Sequence, residues 1–282
     1  MRVIQSVREM QDAAGQLRQS GKRIGFVPTM GFLHEGHLSL MRAARKESDV
    51  VVVSVFVNPA QFRPGEDFEN YPRDFDRDAK RCQGEGVDIV FHPPVDEMYA
   101  SDHSAYVDET ELSKGLCGAA RPGHFRGVAT VVTKLFNIVQ PHVAVFGQKD
   151  AQQARVIQQM VADLNIPVRI VVAPTLREPD GLAMSSRNQY LSAAERLAAP
   201  CLYHALQLAR QLYSGGTRDP ERIRREMAAL IEGTGSAAID YLELVDRRTF
   251  RPCATADDGT LVVLAVKIGR TRLIDNMIIG GG

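Results

Sequence analysis

Two histidines three positions apart stand where the pattern predicts the start of a helix. His34 and His37 close the run PTMGFLHEGH, which follows a short apolar stretch. Gly31 in that run allows close approach of the backbone, and the N–H groups of a helix start favour phosphate. Imidazoles at this position can donate hydrogen bonds to phosphate oxygens. The segment therefore predicts a phosphate-binding loop.

Two other interpretations of this histidine pair stay open. Zinc binding would need a third ligand, and the metalloprotease motif places its histidines four positions apart instead of three, so we expect no metal on the pair. Solvent-exposed turn histidines are the plainer alternative. The neighbouring Pro28 to Gly31 argue against it.

A second polar turn, with Asn58 and Gln61, follows the apolar run VVVVSVFV. Their amides can hydrogen-bond hydroxyl or carboxylate oxygens without adding charge to a buried pocket, which predicts substrate-orienting groups. The alternative is a plain loop in which Asn58 and Pro59 end the strand.

A third turn brings a cation to a predicted strand exit. Lys149 follows Gly147 and would place an ammonium near phosphates, although the Walker A pattern is absent. Asp150 can accept hydrogen bonds from ribose hydroxyls, cap the helix that begins at Ala151, or do both. Gln152 is predicted to face the same cavity as Lys149.

The fourth turn holds Ser185, Ser186 and Arg187 in succession, two hydroxyls and a guanidinium suited to triphosphate oxygens. A serine hydrolase would be expected to show a G-x-S-x-G elbow, which the chain lacks, although triads are defined by geometry and not by sequence. An ordinary polar turn is the other alternative.

These turns belong to a chain whose first part alternates short β-branched runs with helical patterns. The fold class predicted is α/β, a doubly wound parallel sheet, with all four turns at the edge where such sheets bind ligands. Strands are predicted at residues 23–27, 50–57, 87–91, 142–146 and 168–172, and helices at 74–84, 127–139 and 150–164. The run at 50–57 is apolar on both faces, as a strand covered on both sides requires.

A second, smaller α+β domain is predicted after residue 175, which gives domains of residues 1–175 and 176–282. Helices are expected at 192–213 and 220–231, and strands at 239–245 and 260–266. The glycine-punctuated stretch 117–127 is predicted as a loop, with a mobile flap as the alternative. The closing Gly280-Gly281-Gly282 is expected to fray.

Composition narrows the class of partner. Lys plus Arg equal Asp plus Glu at 34 each, so no overall positive field would attract nucleic acid or an anionic membrane. No apolar run reaches membrane-spanning length, no signal peptide is visible, and the four cysteines form no CxxC pair. We expect a cytoplasmic protein that acts on small molecules.

Together these turns resemble the pantothenate synthetases. The motifs PTMGFLHEGH, FVNPAQF, RPGHFRGVATVV, FGQKDAQQ and REPDGLAMSSRN lie in that family's order over nearly the whole chain. HxGH alone is shared with aminoacyl-tRNA synthetases and other nucleotidyltransferases, whereas its combination with NPxQF and GxKDxQQ is specific. The resemblance implies a Rossmann-like amino-terminal domain, a carboxyl-terminal lid and a homodimer. It also implies a ligase that joins pantoate to β-alanine with ATP through a pantoyl-adenylate, releasing AMP and pyrophosphate.

The resemblance also assigns roles to residues. ATP would be bound by Met30, His34, His37, Gly147, Lys149, Asp150, Met184, Ser185, Ser186 and Arg187. Four of these would carry the catalysis, namely His34, His37, Lys149 and Arg187. Pantoate would be bound by Gln61, Gln152 and Asn58. The required Mg²⁺ would lie near Asp78, although Arg77 stands where some relatives carry an acidic residue.

Two competing functions share these features. Another HxGH nucleotidyltransferase or a tRNA ligase would share the histidines, but the balanced charge and the lack of an appended basic domain count against it. A non-catalytic nucleotide sensor would have no need of both histidines, the lysine and the Ser-Ser-Arg run together.

Overall fold

The computed structural model describes residues 1–280, so that Gly281 and Gly282, part of the predicted frayed end, lie outside the described residues. The described chain forms two compact units. Unit 1 comprises Met1–Lys114, Arg121–Gln148 and Gln153–Pro174. Unit 2 comprises Gly115–Ala120, Lys149–Gln152 and the remainder from Thr175 onward. The segments Gly115–Ala120 and Lys149–Gln152 therefore belong to unit 2, although the residues on either side of them in the sequence belong to unit 1.

The strands are β1 (Arg2–Ile4), β2 (Ile24–Thr29), β3 (Val50–Val55), β4 (Ile89–Phe91), β5 (Val143–Gly147), β6 (Arg169–Ala173), β7 (Ala237–Asp246), β8 (Thr260–Ile268) and β9 (Thr271–Ile278). The α-helices are α1 (Val7–Gln19), α2 (Glu35–Lys46), α3 (Phe75–Gly84), α4 (Val95–Met98), α5 (Cys117–Ala120), α6 (His124–Val139), α7 (Ala151–Asp163), α8 (Ala193–Ala198), α9 (Cys201–Ser214) and α10 (Pro220–Glu232). Short 3₁₀ helices cover Pro59–Gln61, Gln148–Asp150 and Ser186–Tyr190. None of the described helices combines the length and the apolar character that crossing a membrane would require.

Unit 1 is built on a six-stranded parallel sheet in the order β1-β4-β3-β2-β5-β6. From β2 the chain proceeds to β3 on one side and later to β5 on the other. The order therefore reverses next to β2, and the carboxyl ends of β2 and β5 flank the crevice where such sheets bind ligands. The predicted doubly wound α/β fold is confirmed.

Strand β3 shows why the sheet must be covered on both faces. Val52 packs in one buried cluster with Phe26, whereas Val51 and Val53 pack in a second cluster with Met41 of α2. Since successive strand residues point to opposite faces, a run of valines fits only a strand with apolar neighbours on both sides.

Unit 2 carries a three-stranded antiparallel sheet, β7-β8-β9, packed against helices. Its core joins Leu206 of α9, Met227 of α10 and Leu264 of β8, each fully buried. The predicted smaller α+β part is thereby confirmed.

Several elements differ from the predictions. The elements β1 and α1 were not predicted, and two further differences have a physical reason. The helix expected at 192–213 is divided into α8 and α9, because Pro200 has no N–H to continue the ladder of backbone hydrogen bonds. Strand β9 was not predicted, since the polar Asp275 and Asn276 interrupt the apolar pattern in its centre. Both residues are buried, at 3% and 5% exposure.

Candidate active site

The loop after β2 is held in an unusual backbone conformation. Gly31 and Phe32 both have positive φ, at 82° and 49°. A Cβ on Gly31 would lie 2.9 Å from Asp78 Oδ2 and 2.9 Å from Val55 Cγ1, so glycine is required for conformation and for space. The Thr29 hydroxyl donates to the Ser54 carbonyl at 2.7 Å and accepts from the Gly31 N–H at 3.1 Å, which fixes the start of the turn.

Asp78 clamps the same loop from α3. Its Oδ2 accepts the Phe32 N–H and its Oδ1 accepts the Leu33 N–H, each at 2.7 Å, and the residue is 1% exposed. Burial raises the pKa of Asp78 above its ordinary value, and the hydrogen bonds from Leu33 and Phe32 oppose that rise. The Arg77 guanidinium lies 4.4 Å from the centre of the Phe32 ring. Both carboxylate oxygens are thus engaged by the backbone that leads to the histidines.

The two histidines meet at the start of α2. His34 is the residue that precedes the helix, and its N–H donates to His37 Nδ1 at 3.2 Å. The ring centres lie 4.0 Å apart. Because Nδ1 of His37 accepts this bond, the proton of the neutral ring resides on Nε2, which makes Nε2 a donor. The structure thus brings His34 and His37 together where the N–H groups of a 12-residue helix begin.

Asn58 is the centre of a buried network in unit 1. Its Nδ2 donates to Gln61 Oε1 at 3.0 Å and to the Gly127 carbonyl at 3.1 Å. Its Oδ1 accepts from the Ala60 N–H at 3.3 Å and from the Tyr99 hydroxyl at 2.8 Å. All four hydrogen-bonding positions of this amide are occupied. Asn58, predicted as a substrate group, is placed to orient Gln61.

Gln61 is fixed at its backbone as well as at its side chain. Its Nε2 lies 3.1 Å from the sulfur of Met30, and its carbonyl faces His124 Nδ1 at 2.9 Å and accepts from Arg121 Nη2 at 3.3 Å. Arg121 also forms an ion pair with Glu66. Burial would raise the pKa of the Glu66 carboxyl, but the Arg121 guanidinium holds that pKa below its ordinary value. The stretch 117–127, predicted as a loop or flap, contains α5 and the start of α6, and its residues Arg121 and His124 support Gln61.

An apolar cavity of about 300 Å³ adjoins the loop in unit 1. Met30 and Asp78 are the predicted site residues in its wall. The rest of the lining is mainly apolar and includes Val55, Phe75 and Pro93. Three charged residues, Arg73, Asp74 and Asp78, also line the wall, and each forms hydrogen bonds with the protein's own backbone.

One group of predicted site residues in unit 2 lies in the segment Lys149–Gln152. Lys149 Nζ lies 3.4 Å from Asp150 Oδ1, with the two side chains 21% and 44% exposed. The Gln152 Oε1 accepts the Cys117 N–H at 3.1 Å, and its Nε2 donates to the Gly115 carbonyl at 2.9 Å. Both ends of the Gln152 amide therefore contact the backbone of the segment before α6.

The serine–arginine run forms a short turn in the same unit. Ser185 Oγ accepts the Arg187 N–H at 3.3 Å and so caps the 3₁₀ helix Ser186–Tyr190. The Met184 N–H donates to the Leu176 carbonyl at 3.0 Å, which closes a small loop. These residues are half-buried, so their polar groups lie at the surface of unit 2.

Sequence reasoning missed Tyr99 of the Asn58 network and, in unit 2, Asp275 and Asn276, which contact Arg177 and Lys149. Tyr99 lies in the irregular stretch after α4, where no periodicity marks it. Asp275 and Asn276 carried a signal, a polar pair inside the run LIDNMI, which is typical of a buried functional position more than of a surface turn.

The comparisons with known proteins agree with this arrangement. The profile of the pantoate-beta-alanine ligase family matches residues 2–278. A pantothenate synthetase of Thermotoga petrophila is 57% identical over 280 residues, which cover 99% of this chain and 100% of the relative. One from Heliobacterium modesticaldum is 56% identical over 279 residues, covering 99% of each chain.

Two solved structures extend the similarity to three dimensions. The crystal structure of pantothenate synthetase from Thermus thermophilus has a TM-score of 0.95 at 44% identity and covers all of both chains. That of pantoate-beta-alanine ligase from Francisella tularensis, complexed with beta-gamma ATP and beta-alanine, has a TM-score of 0.83 at 33% identity. It covers 100% of this chain and 99% of the other.

Proposed function

Because the chain belongs to the pantoate-beta-alanine ligase family, we propose that it condenses pantoate with β-alanine in an ATP-dependent reaction that passes through a pantoyl-adenylate and releases AMP and pyrophosphate. The observation that carries this proposal is the pair His34 and His37 at the start of α2, beside the point where the strand order of the sheet reverses. An imidazole pair on a helix start is suited to phosphate charge, and this edge of an α/β sheet is where nucleotides bind.

In the first step the pantoate carboxylate attacks the α-phosphorus of ATP and pyrophosphate leaves. Negative charge grows on the phosphate oxygens, so groups aimed at those oxygens act mainly in the transition state. The proposed groups are His34, His37, Lys149 and Arg187. His37 is preset for this task, because its Nδ1 already accepts a backbone N–H and its Nε2 carries the proton.

The remaining ATP contacts follow from position along the chain. Met30 lies directly before the glycine turn, Gly147 ends β5, and Asp150 follows two residues after Gln148. Met184, Ser185 and Ser186 precede Arg187 in the half-buried turn of unit 2. We assign these residues to the nucleoside and the triphosphate.

Pantoate is assigned to Gln61 and Gln152. Gln61 is 8% exposed and Gln152 is 7% exposed, and an amide so placed orients a carboxylate or hydroxyl without meeting a second charge. Asn58 keeps a role in this pocket through Gln61, whose Oε1 it holds.

In the second step the amine of β-alanine attacks the acyl carbon of the adenylate and AMP leaves. The amine of β-alanine should have a pKa near that of lysine, about 10, so that about one amine in a thousand is neutral at pH 7. The adenylate must therefore persist until a neutral amine attacks, which requires that water be excluded. We propose that the smaller carboxyl-terminal part serves as the lid for this purpose.

The residues around Asp78 do not fit a metal site. Both of its oxygens accept backbone hydrogen bonds, and Arg77 next to it packs on Phe32. Among residues 1–280 no three His, Cys, Asp or Glu side chains are grouped so as to hold a metal ion. We propose that Mg²⁺ enters as the companion of the ATP phosphates, as is usual for this ion, and that Asp78 positions the histidine loop.

Two further properties are proposed on the resemblance. The protein is expected to be a cytoplasmic homodimer. Sedimentation equilibrium tests the dimer and would show a single-chain mass if this proposal is wrong.

An assay of AMP release tests the proposed function. The purified chain should release AMP when ATP, pantoate and β-alanine are all present, and it should exchange pyrophosphate into ATP with pantoate alone. Release of AMP that does not depend on pantoate, or that requires tRNA, would reject the proposal.

A further inference from the structure

Asp275 and Asn276 stand side by side in the middle of β9, and each contacts a different part of unit 2. Successive residues of a strand point to opposite faces of the sheet, so one pair can serve two partners. Neither residue belongs to the sets assigned above to ATP or pantoate.

Asn276 contacts the lysine segment. Its Nδ2 donates to the backbone carbonyl of Lys149 at 2.9 Å. Lys149 lies in the 3₁₀ helix Gln148–Asp150, a single turn with few backbone hydrogen bonds of its own. The contact from β9 therefore restrains the backbone from which the ammonium projects.

Asp275 contacts the segment that leads to the serine–arginine turn. Its carboxylate forms a two-point ion pair with Arg177, at 2.6 Å from Nη1 to Oδ2 and 3.0 Å from Nη2 to Oδ1. Its side chain is 1% exposed. Burial raises the pKa of Asp275, while Arg177 and, more weakly, the charge of Lys149 oppose the rise.

Arg177 in turn contacts the segment that leads to the Ser185–Arg187 turn. Its Nη1 also donates to the Gly181 carbonyl at 3.0 Å, and its backbone pairs with Ala183, directly before Met184. The guanidinium lies 4.6 Å from the centre of the Tyr203 ring. Gly181 has φ of 91°, and a Cβ there would lie 1.9 Å from that ring. Arg177 and Tyr203 therefore both contact the segment that leads to the Ser185–Arg187 turn.

We propose that the Asp275–Asn276 pair positions the two phosphate-binding elements of unit 2, Asn276 by holding the Lys149 backbone and Asp275 by holding Arg177 and the turn before Ser185. Both are positioning residues, since they act through Lys149 and through Arg177. The inference rests on the proposed function of Lys149 and the Ser185–Arg187 turn. It assigns new residues to that function.

Asn276→Ala tests the first half. Since one restraining hydrogen bond is lost, turnover of pantoate-dependent ATP–pyrophosphate exchange should fall about tenfold, while the KM for pantoate stays within about twofold. Affinity for a non-hydrolysable ATP analogue, measured by calorimetry, should weaken about threefold.

The matched control is Leu273→Val on the same strand. Leu273 is 4% exposed in the core of unit 2 and touches neither Lys149 nor Arg177 by any hydrogen bond. It should lower the thermal midpoint to a similar extent and leave turnover and analogue affinity unchanged. Kinetic changes in Leu273→Val equal to those in Asn276→Ala would overturn the positioning role, and so would an Asn276→Ala effect confined to the pantoate KM.

Arg177→Lys tests the second half without leaving Asp275 unpaired. Lysine keeps the charge but not the two-point geometry, so turnover should fall about tenfold with little change in the thermal midpoint. Unchanged turnover would overturn this half. If the wild type releases no AMP with both substrates, the proposed function fails, whereas analogue affinity in Asn276→Ala against Leu273→Val still decides whether Asn276 positions the nucleotide site.

Discussion

The two groups of site residues are held in place by different kinds of interaction. In unit 1, Gln61 is oriented by the neutral amide of Asn58 and the hydroxyl of Tyr99. In unit 2, the turn before Ser185 is held by the buried ion pair of Asp275 with Arg177. Neutral hydrogen bonds orient a side chain without adding a charge to its surroundings, whereas a buried charged group needs a partner of opposite charge. For these two groups the difference matches the proposed ligands, since Gln61 is assigned to pantoate and the Ser185–Arg187 turn to the triphosphate of ATP.

The largest effect is expected from Asp275→Asn. It leaves Arg177, whose side chain is 19% exposed, without its counter-charge, so the free energy of unfolding should fall by about 3 kcal/mol. Denaturant unfolding measures this. The exposed pair of Glu9 with Arg2 supplies the control, since Glu9→Gln should lower stability by less than about 1 kcal/mol. An equal loss of unfolding free energy in the two variants would show that the Asp275–Arg177 pair stabilises the protein no more than an exposed pair does.

Lys149→Ala should have the next largest effect, on catalysis. Removing a cation aimed at developing phosphate charge should lower turnover of adenylate formation by about 100-fold or more, and it should affect pantoate binding much less. Steady-state kinetics with varied pantoate separate the two. Unchanged turnover would remove Lys149 from the catalytic residues.

Gln61→Ala should act in the opposite manner. Its amide orients a substrate without meeting new charge, so the KM for pantoate should rise about tenfold while turnover at saturation changes little. Should only the affinity for ATP fall, the pocket assignment for Gln61 would be wrong.

The smallest effect is expected from Tyr99→Phe, which removes one hydroxyl from the neutral network. Burial raises the pKa of the Tyr99 phenol well above its usual range, so the group donates as a neutral hydroxyl to Asn58. Losing that bond should raise the KM for pantoate about threefold and lower stability by about 1 kcal/mol. The same measurements on Tyr106→Phe, an exposed tyrosine, should show no change. A larger effect on the ATP KM than on the pantoate KM would contradict the role of Tyr99 in orienting Gln61.

The sequence predicted the sheet and the four turns because these depend on local pattern. A run such as Val50–Val55 is apolar on both faces, and the first three turns follow β2, β3 and β5 directly. It did not predict β9, because Asp275 and Asn276 are polar for contacts with Arg177 and Lys149 that are distant in sequence. Roles set by long-range hydrogen bonds, such as those of Asn58 and Asp78, were likewise beyond the pattern. Residue type showed that they are polar, and only the fold showed which partner each one has.

The roles proposed for these residues rest on one chemical event, the attack of pantoate on the α-phosphorus of ATP. Pantoate labelled with ¹⁸O in its carboxylate tests that event directly when it is turned over with ATP and β-alanine. One labelled oxygen should appear in AMP, because that oxygen bridges carbon and phosphorus until the amine displaces it, and pyrophosphate should carry none. Formation of ADP with the label in inorganic phosphate would contradict the adenylate mechanism and, with it, the roles proposed for His34, His37 and Lys149.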